Sequence, residues 1–290
     1  MPVKRKPEWL RKKMPDKKSL DRMQAMVKDL SLHTVCQEAN CPNVGECFEN
    51  RTATFMIMGD VCTRGCRFCA VGKGEVPVLD QEEPRHVAEA VRELQLKHAV
   101  ITSVTRDDLS DGGAAHFAKT IKTVRKMNPG TSIEVLIPDL KGDEAALDTI
   151  LEEKPEILNH NIETVPSLYE KVRPGADFQR SVQLLKRVKE KDTSILSKTG
   201  IMVGLGETPE EMEEVMEILA EINCDILTIG QYLQPSSEHL PVEEFVTPEQ
   251  FELYREQGLK KGISFVESGP FIRSSYNAAR AMEVLSKKSR

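Results

Sequence analysis

Six of the chain's seven cysteines fall between Cys36 and Cys69 in two groups of three, and only Cys224 stands apart. Thiols grouped this way in a chain with no apolar leader are read as metal ligands before disulfides. The later group runs Cys62-Thr-Arg-Gly-Cys66-Arg-Phe-Cys69, a Cys-x3-Cys-x2-Cys spacing. Three thiolates on one tight loop can hold three irons of a 4Fe–4S cubane and leave the fourth iron without a protein ligand. An electron carrier normally uses four cysteines per cluster, so an open iron is useful only where something else must bind. The earlier group, Cys36-x4-Cys41-x5-Cys47, also offers three thiols and lacks a fourth. Structural zinc prefers cysteine pairs. A single zinc site would leave two of the six thiols unexplained, whereas two cubanes account for all of them.

Loops that carry such groups need a scaffold, and the rest of the chain supplies one. From residue 52 onward, short apolar runs alternate with amphipathic helical stretches. Strands are predicted at 54–58, 99–103, 132–137, 156–160, 199–203, 225–229 and 263–267. Helices are predicted near 84–96, 114–127, 143–153, 178–191, 209–222 and 248–261. Alternation of this kind implies βαβ units and a parallel sheet. The expected fold is α/β, a partial (β/α)6-type TIM-like barrel over 52–268, with a doubly wound open sheet as the competing architecture. Residues 1–51 and 269–290 read as N- and C-terminal extensions. In either architecture the chemistry belongs at the C-terminal ends of the strands. One helix start is well marked, because Thr208-Pro209-Glu210-Glu211 combines an N-cap Thr, Pro at the first turn and Glu three residues after the cap.

The two triads together, Cys36/Cys41/Cys47 ahead of Cys62/Cys66/Cys69, resemble the lipoyl synthase family of the radical S-adenosylmethionine superfamily, down to the aromatic Phe68 before the last cysteine. Further matches run through Glu38-Ala39-Asn40-Cys41-Pro42-Asn43, Thr105-Arg106-Asp107-Asp108 with Asp111-Gly112-Gly113, and Asn159-His160-Asn161-Ile162-Glu163-Thr164. They continue through Arg173 to Asp177, through Gln231 to Pro235, and into Arg273-Ser274-Ser275-Tyr276. The resemblance implies two 4Fe–4S clusters and S-adenosylmethionine, whose amino and carboxylate groups chelate the open iron on the later triad. It also implies that a serine of the Arg-Ser-Ser-Tyr motif completes an auxiliary cluster carried by the extensions. That serine is assigned to Ser274, with Ser275 as the other candidate; on composition alone Ser274 reads as a helix cap. A serine alkoxide is a hard ligand on iron that prefers soft thiolate, which suits a cluster dismantled as a sulfur source. The implied reaction inserts two sulfurs, at C6 and C8, into an octanoyl chain on a protein lysine. Implied partners are octanoylated lipoyl-domain proteins (2-oxoacid dehydrogenase E2 subunits and the glycine cleavage H protein) and an electron donor such as ferredoxin or flavodoxin. Two rivals remain: a biotin synthase-like radical enzyme, disfavoured by the upstream position of the second triad, and an iron–sulfur carrier or scaffold.

No catalytic group beyond the cluster ligands stands out. Asn159, Asn161 and Glu163 fall where the fourth strand ends and Arg173 follows in its loop, so they could bind a ribose or a carboxylate. Gly204 and Gly206 lie in a glycine-rich strand-to-helix turn that lacks dinucleotide spacing. The turn either serves geometry alone or lets an adenine lie against its backbone. Asp107, Asp108 and Asp111 read equally as helix caps. His33, His86, His98, His116 and His239 have no metal-like spacing, and His160 is the one near the presumed site. Cys224 reads as a small buried hydrophobe. The net charge of −6 disfavours nucleic acid. No run approaches a membrane span, and a cytoplasmic, soluble protein is expected. Eight Lys/Arg among the first eighteen residues read as a solvated tail or as an arm for an acidic partner.

Overall fold

The computed structural model describes residues 6–10, 32–34, 43, 52–275 and 278–288. A two-residue strand β1 (His33–Thr34) runs antiparallel to β2 (Thr52–Ile57). Then follow α1 (Glu83–Glu93), β3 (His98–Ser103), α2 (Ala114–Met127), β4 (Ser132–Leu136), α3 (Glu144–Leu151) and β5 (Ile157–Asn159). The chain continues through the short α4 (Tyr169–Val172), α5 (Phe178–Lys191), β6 (Leu196–Val203), α6 (Pro209–Glu221), β7 (Ile226–Gln231), α7 (Pro248–Lys260), β8 (Phe265–Gly269) and α8 (Ala278–Lys288). Strands pair in chain order, and every pair from β2 to β8 is parallel. A doubly wound sheet would reverse its order at a switch point. Here six βα units wind one way and a seventh parallel strand follows, so the partial barrel is the architecture.

Side chains alternate along each strand, which divides the core in two. The outer faces are apolar: Phe55, Ile57, Ile101, Val135 and Leu158 pack under α1–α3, while Ile201, Val203, Leu227 and Ile229 pack under α5–α7. Helix starts follow the local chemistry. The Thr208 hydroxyl accepts the Glu211 N–H, and the Glu211 carboxylate accepts the Thr208 N–H at 2.8 Å, which completes the anticipated capping box. Asp143 and Asp177 cap α3 and α5 by side-chain acceptance alone, from Ala145 and Ala146 N and from Arg180 N.

The inner faces form layers. At the N-terminal ends Ile157, Leu196, Ile226 and Phe265 meet Ala281, Met282 and Leu285 of α8, which closes the barrel floor. One layer up, the buried Glu134 carboxylate accepts from Lys198 Nζ at 2.9 and 3.1 Å and from Asn159 Nδ2 at 3.1 Å, with His98 Nε2 at 3.4 Å. Near the top, β6, β7 and β8 present Gly200, Gly230 and Gly269, and the C-terminal segment enters that space. A Cβ on Gly230 would lie 2.0 Å from the Ile272 carbonyl oxygen.

Candidate functional site

The cysteine loop leaves β2 through two residues with left-handed backbone, Met58 (φ 67°) and Gly59 (φ 90°). Left-handed geometry is costly for a residue with a side chain, and Met58 is held there from both sides. Its N–H donates to Glu83 at 2.9 Å, and its carbonyl accepts from Arg106 at 3.2 Å. Room for its side chain comes from Gly113, where a Cβ would meet the Met58 sulfur at 2.3 Å. The Asp111-Gly112-Gly113 motif therefore supports the loop. Asp111 itself caps α2, accepting from Gly113 N at 2.9 Å and Ala115 N at 2.8 Å.

Beyond this bend the loop is tied down along its length. Cys62 N donates to Gly72 O at 2.9 Å, Thr63 N to Thr105 O at 3.0 Å and Arg67 N to Val172 O at 2.9 Å. Arg64, between the first two cysteines, reaches the Asp107 carboxylate at 2.7 and 3.0 Å and Asp139 at 2.7 Å. Burial tends to raise the Asp139 carboxyl, but its bonds with Arg64 more than reverse this and hold it at about 2. Phe68 packs on Val172, Leu205 and Tyr232, so the aromatic residue before the last cysteine anchors the loop to the β5–β7 side of the barrel.

Each of the three half-buried thiols lies beside an N–H donor. Arg64 N is 3.4 Å from Cys62 Sγ. The Arg173 guanidinium and the Val71 backbone lie near enough to Cys66 and Cys69 to draw their thiols down. Burial raises the Cys66 thiol while Arg173 draws it down, and burial pushes Cys69 up to about 11 against the pull of the Val71 backbone. The Arg64 N–H directed at Cys62 and the positive charge of Arg173 near Cys66 suit thiolates bound to cluster iron.

Asn161, Glu163 and Arg173 come together at the mouth. Arg173 is buried, donates to the Asn161 and Ile162 carbonyls at 2.9 and 3.1 Å, and stacks over the Tyr169 ring. Glu163 adopts a left-handed backbone (φ 65°) and accepts from Asn161 Nδ2 at 3.0 Å; burial pushes its carboxyl up while Arg173 and Asn161 oppose this. The Asn161 amide also reaches Ser274 Oγ at 3.3 Å. Asn159 sits one layer deeper on Glu134. Buried polar atoms are normally paired, yet Asn159 Oδ1, Asn161 Oδ1 and Arg173 Nε are buried without a protein partner. A polar small molecule in the mouth would satisfy them.

Gly204 and Gly206 are placed differently. Both are left-handed (φ 93° and 113°), and the Glu207 carboxylate takes the Gly204 and Leu205 N–H groups. A Cβ on Gly204 would strike Gln231 and the Glu244 carbonyl, so the turn's geometry accounts for that glycine. His160 faces away from the mouth, its ring between Ile137 O at 2.8 Å and Ser181 Oγ at 2.9 Å. Cys36, Cys41 and Cys47 lie outside the described residues. Sequence reasoning missed Arg64, Asp139 and His239, whose Nε2 lies 3.0 Å from the Cys69 carbonyl. Only the position of Arg64 inside the motif hinted at a role.

Comparison with known proteins agrees with this geometry. The radical SAM superfamily matches residues 56–219, and the N-terminal domain of lipoyl synthase of that family matches residues 2–41. The crystal structure of methylornithine synthase superposes with a TM-score of 0.55 at 16% identity, covering 95% of this chain and 90% of that one. The FeFe-hydrogenase maturase HydG from Carboxydothermus hydrogenoformans gives 0.57 at 13% identity, with 94% and 80% covered. These two likenesses speak for the fold. The chain is a radical S-adenosylmethionine enzyme, a class that works with a 4Fe–4S cluster and S-adenosylmethionine. Lipoyl synthase from Caldanaerobacter subterraneus subsp. tengcongensis is 61% identical over 274 residues, 94% of this chain and 96% of that protein. Lipoyl synthase from Alkaliphilus metalliredigens is 54% identical, with 98% of each covered. The chain belongs to the lipoyl synthase family, and its activity is the sulfur insertion of that family. No helix among the described residues is long and apolar enough to cross a membrane.

Proposed function

We propose that Cys62, Cys66 and Cys69 hold the radical cluster and that Cys36, Cys41, Cys47 and Ser274 hold a second, auxiliary 4Fe–4S cluster consumed as the sulfur source. The substrate is an octanoyl chain amide-linked to a lysine of a lipoyl-domain protein, the E2 subunits and the H protein being the expected carriers. An acidic one-electron donor of the ferredoxin or flavodoxin type supplies the reducing equivalents, and the cytoplasm is the expected setting. The observation that carries the second cluster is a single long-range bond: Asn43, between Cys41 and Cys47, donates its amide to the Phe271 carbonyl at 2.7 Å. That contact ties the early triad's segment to the strand end that leads into Ser274. Ser274 in turn touches Asn161, so the serine and the mouth residues share one space.

Bound at these positions, the clusters and S-adenosylmethionine supply one-electron chemistry strong enough to take hydrogen from an unactivated carbon. The protein's residues do the rest. The Arg64–Asp107–Asp139 group holds the cysteine loop in one shape. Asn161 Oδ1 and Arg173 Nε offer an acceptor and a donor to the amino acid or ribose part of S-adenosylmethionine, with Glu163 beside them as a second acceptor. Asn159 extends this set toward the floor, and Gly206, where a Cβ would meet only Glu243 Cγ at 3.7 Å, leaves the β6 end open for an adenine to approach, while Gly204 serves the turn. The α8 floor and the apolar layer above it keep water from entering from below, which protects a reactive intermediate.

The test is the product of an octanoyl-lysyl peptide incubated with anaerobically reconstituted protein, reductant and S-adenosylmethionine. A product that has gained two sulfurs is expected, as the dithiol under reductant and two hydrogens lighter once exposure to air closes the dithiolane. Full loading should reach about eight irons per chain, falling to about four when Cys36, Cys41 and Cys47 are replaced by alanine. Sulfur insertion that survives that triple replacement overturns the auxiliary-cluster reading.

A further inference from the structure

The turn after β7, residues 234–241, reaches back across the barrel mouth to the cysteine loop, to which it has no proximity in the sequence. It makes two contacts there. Leu240 N donates to Arg67 O at 3.2 Å, and the His239 ring places Nε2 at 3.0 Å from the Cys69 carbonyl. A carbonyl can only accept, so Nε2 carries the proton of this bond. Nδ1 then takes the Ser236 hydroxyl hydrogen at 2.8 Å, and the Ser236 oxygen accepts from Glu238 N at 3.2 Å. Gln234 Nε2 donates to the His239 carbonyl at 2.9 Å, and the Tyr232 hydroxyl donates to Leu240 O at 2.7 Å. The imidazole is thus fixed from behind before it meets the loop.

We propose that His239 is a positioning residue for the third thiolate of the cysteine loop, acting through the Cys69 carbonyl. Packing does not do this work on that side. Between the loop and the turn lies an open cleft of about 400 Å3, lined by Cys66, Arg67, Lys73, His239 and Leu240 among others. Arg67 is exposed and Cys66 and Cys69 are only half-buried, so hydrogen bonds rather than side-chain burial hold this side of the segment. The inner side differs, with the partly buried Phe68 packed against its apolar cluster. A donor fixed on the Cys69 carbonyl orients the peptide that follows Cys69, and with it the backbone that carries the Cys69 sulfur. Ser236 sets the ring orientation, in the manner of outer-shell partners that fix a ligand's geometry without touching the metal.

The inference rests on Cys62, Cys66 and Cys69 holding a cluster, and the experiment separates the two claims. In the full chain carrying Cys36→Ala, Cys41→Ala and Cys47→Ala, only the radical cluster remains to be observed. His239→Ala, His239→Gln and Ser236→Ala are compared in that background by iron content, by the EPR spectrum of the reduced cluster and by the rate of iron loss to a chelator. A glutamine amide can reach the same carbonyl. The expected result is full loading in all variants, with iron loss about tenfold faster and a broadened EPR signal in His239→Ala. Both should be restored in His239→Gln, and Ser236→Ala should fall between. The proposal is overturned if His239→Ala matches the parent on both measures, or if His239→Gln is no better than His239→Ala. A parent that loads no iron overturns the cluster reading and the proposal with it.

Discussion

The floor and the mouth of this barrel are built from similar residue types and treat them in opposite ways. At the floor, Glu134, Lys198 and His98 are all buried, and their polar atoms find one another. Burial alone would raise the Glu134 carboxyl, yet Lys198 and His98 hold it at about 2. Below them α8 seals the layer with alanine and leucine. At the mouth, Asn161 and Arg173 are as well ordered by their neighbours, but each keeps one buried polar atom unpaired. A folded chain tolerates such atoms where something outside the chain completes them. The charged groups of the lower layer are paired, although Asn159 Oδ1 beside them is not, and the unpaired atoms of Asn161 and Arg173 are where the mouth would take a ligand.

The largest expected effect comes from breaking the floor. Glu134→Ala strands the Lys198 ammonium in a sealed layer, and removing one partner of a buried pair costs about 3–5 kcal/mol. Replacing both, as Glu134→Met with Lys198→Met, removes the stranded charge and should recover most of that loss. Chemical denaturation of the two variants checks this. A double variant as unstable as the single one would mean that the pair itself, rather than its neutrality, stabilises the barrel.

The next effect is set by pH. His160 is held neutral behind the mouth, its pKa lowered to about 4, chiefly by burial and then by Arg173, against opposing contributions from Ile137 O and Asp139. The unfolded chain takes up this proton near pH 6.5, before the folded one does. The stabilisation is therefore complete above that pH and is lost as pH falls toward 4, at about 1.4 kcal/mol per pH unit. His160→Gln should flatten the fall in unfolding free energy between pH 6.5 and 4. An unchanged slope would remove His160 from the account.

Much of this architecture is legible in the amino-acid order, and the exceptions have physical causes. The outer faces of the strands are continuous apolar patterns, so the βα alternation and helices such as 114–127 and 178–191 are found where expected. β6 begins at Leu196 rather than 199 because an inward Lys198 interrupts the apolar run. β8 extends to Gly269 because Glu267 and Gly269 line the interior, where strand composition rules do not apply. β1, two residues paired antiparallel, is too short to signal itself. The thiols on the described loop are legible because spacing alone defines them. Asp139 and His239 are not, because the fold brings them to the loop across 75 and 170 residues.

A smaller effect is expected where the C-terminal segment enters the mouth. Gly230→Ala places a methyl against the Ile272 carbonyl, and overpacking of this kind costs about 1–3 kcal/mol. Because that segment leads to Ser274, sulfur insertion should fall while the irons on Cys62, Cys66 and Cys69 remain, as iron analysis and single-turnover assays of the variant would read. Activity equal to the parent would mean that this approach does not set the position of Ser274.

The smallest effect on stability, and the sharpest separation of mouth from floor, belongs to Asn161→Ala. The asparagine donates to Glu163 and Ser274, but its buried Oδ1 has no partner, and an unpaired buried acceptor offsets what the two donated bonds contribute. Thermal denaturation of the variant should thus lie within about 1 kcal/mol of the parent. Binding should respond where stability does not: the loss of one hydrogen bond to S-adenosylmethionine weakens affinity about tenfold, close to 1.4 kcal/mol. Titration calorimetry on the reconstituted protein reads that change directly. If the variant instead loses stability on the scale of the floor variants and binds S-adenosylmethionine as before, Asn161 belongs with Glu134 and Lys198, and its bare oxygen marks no ligand.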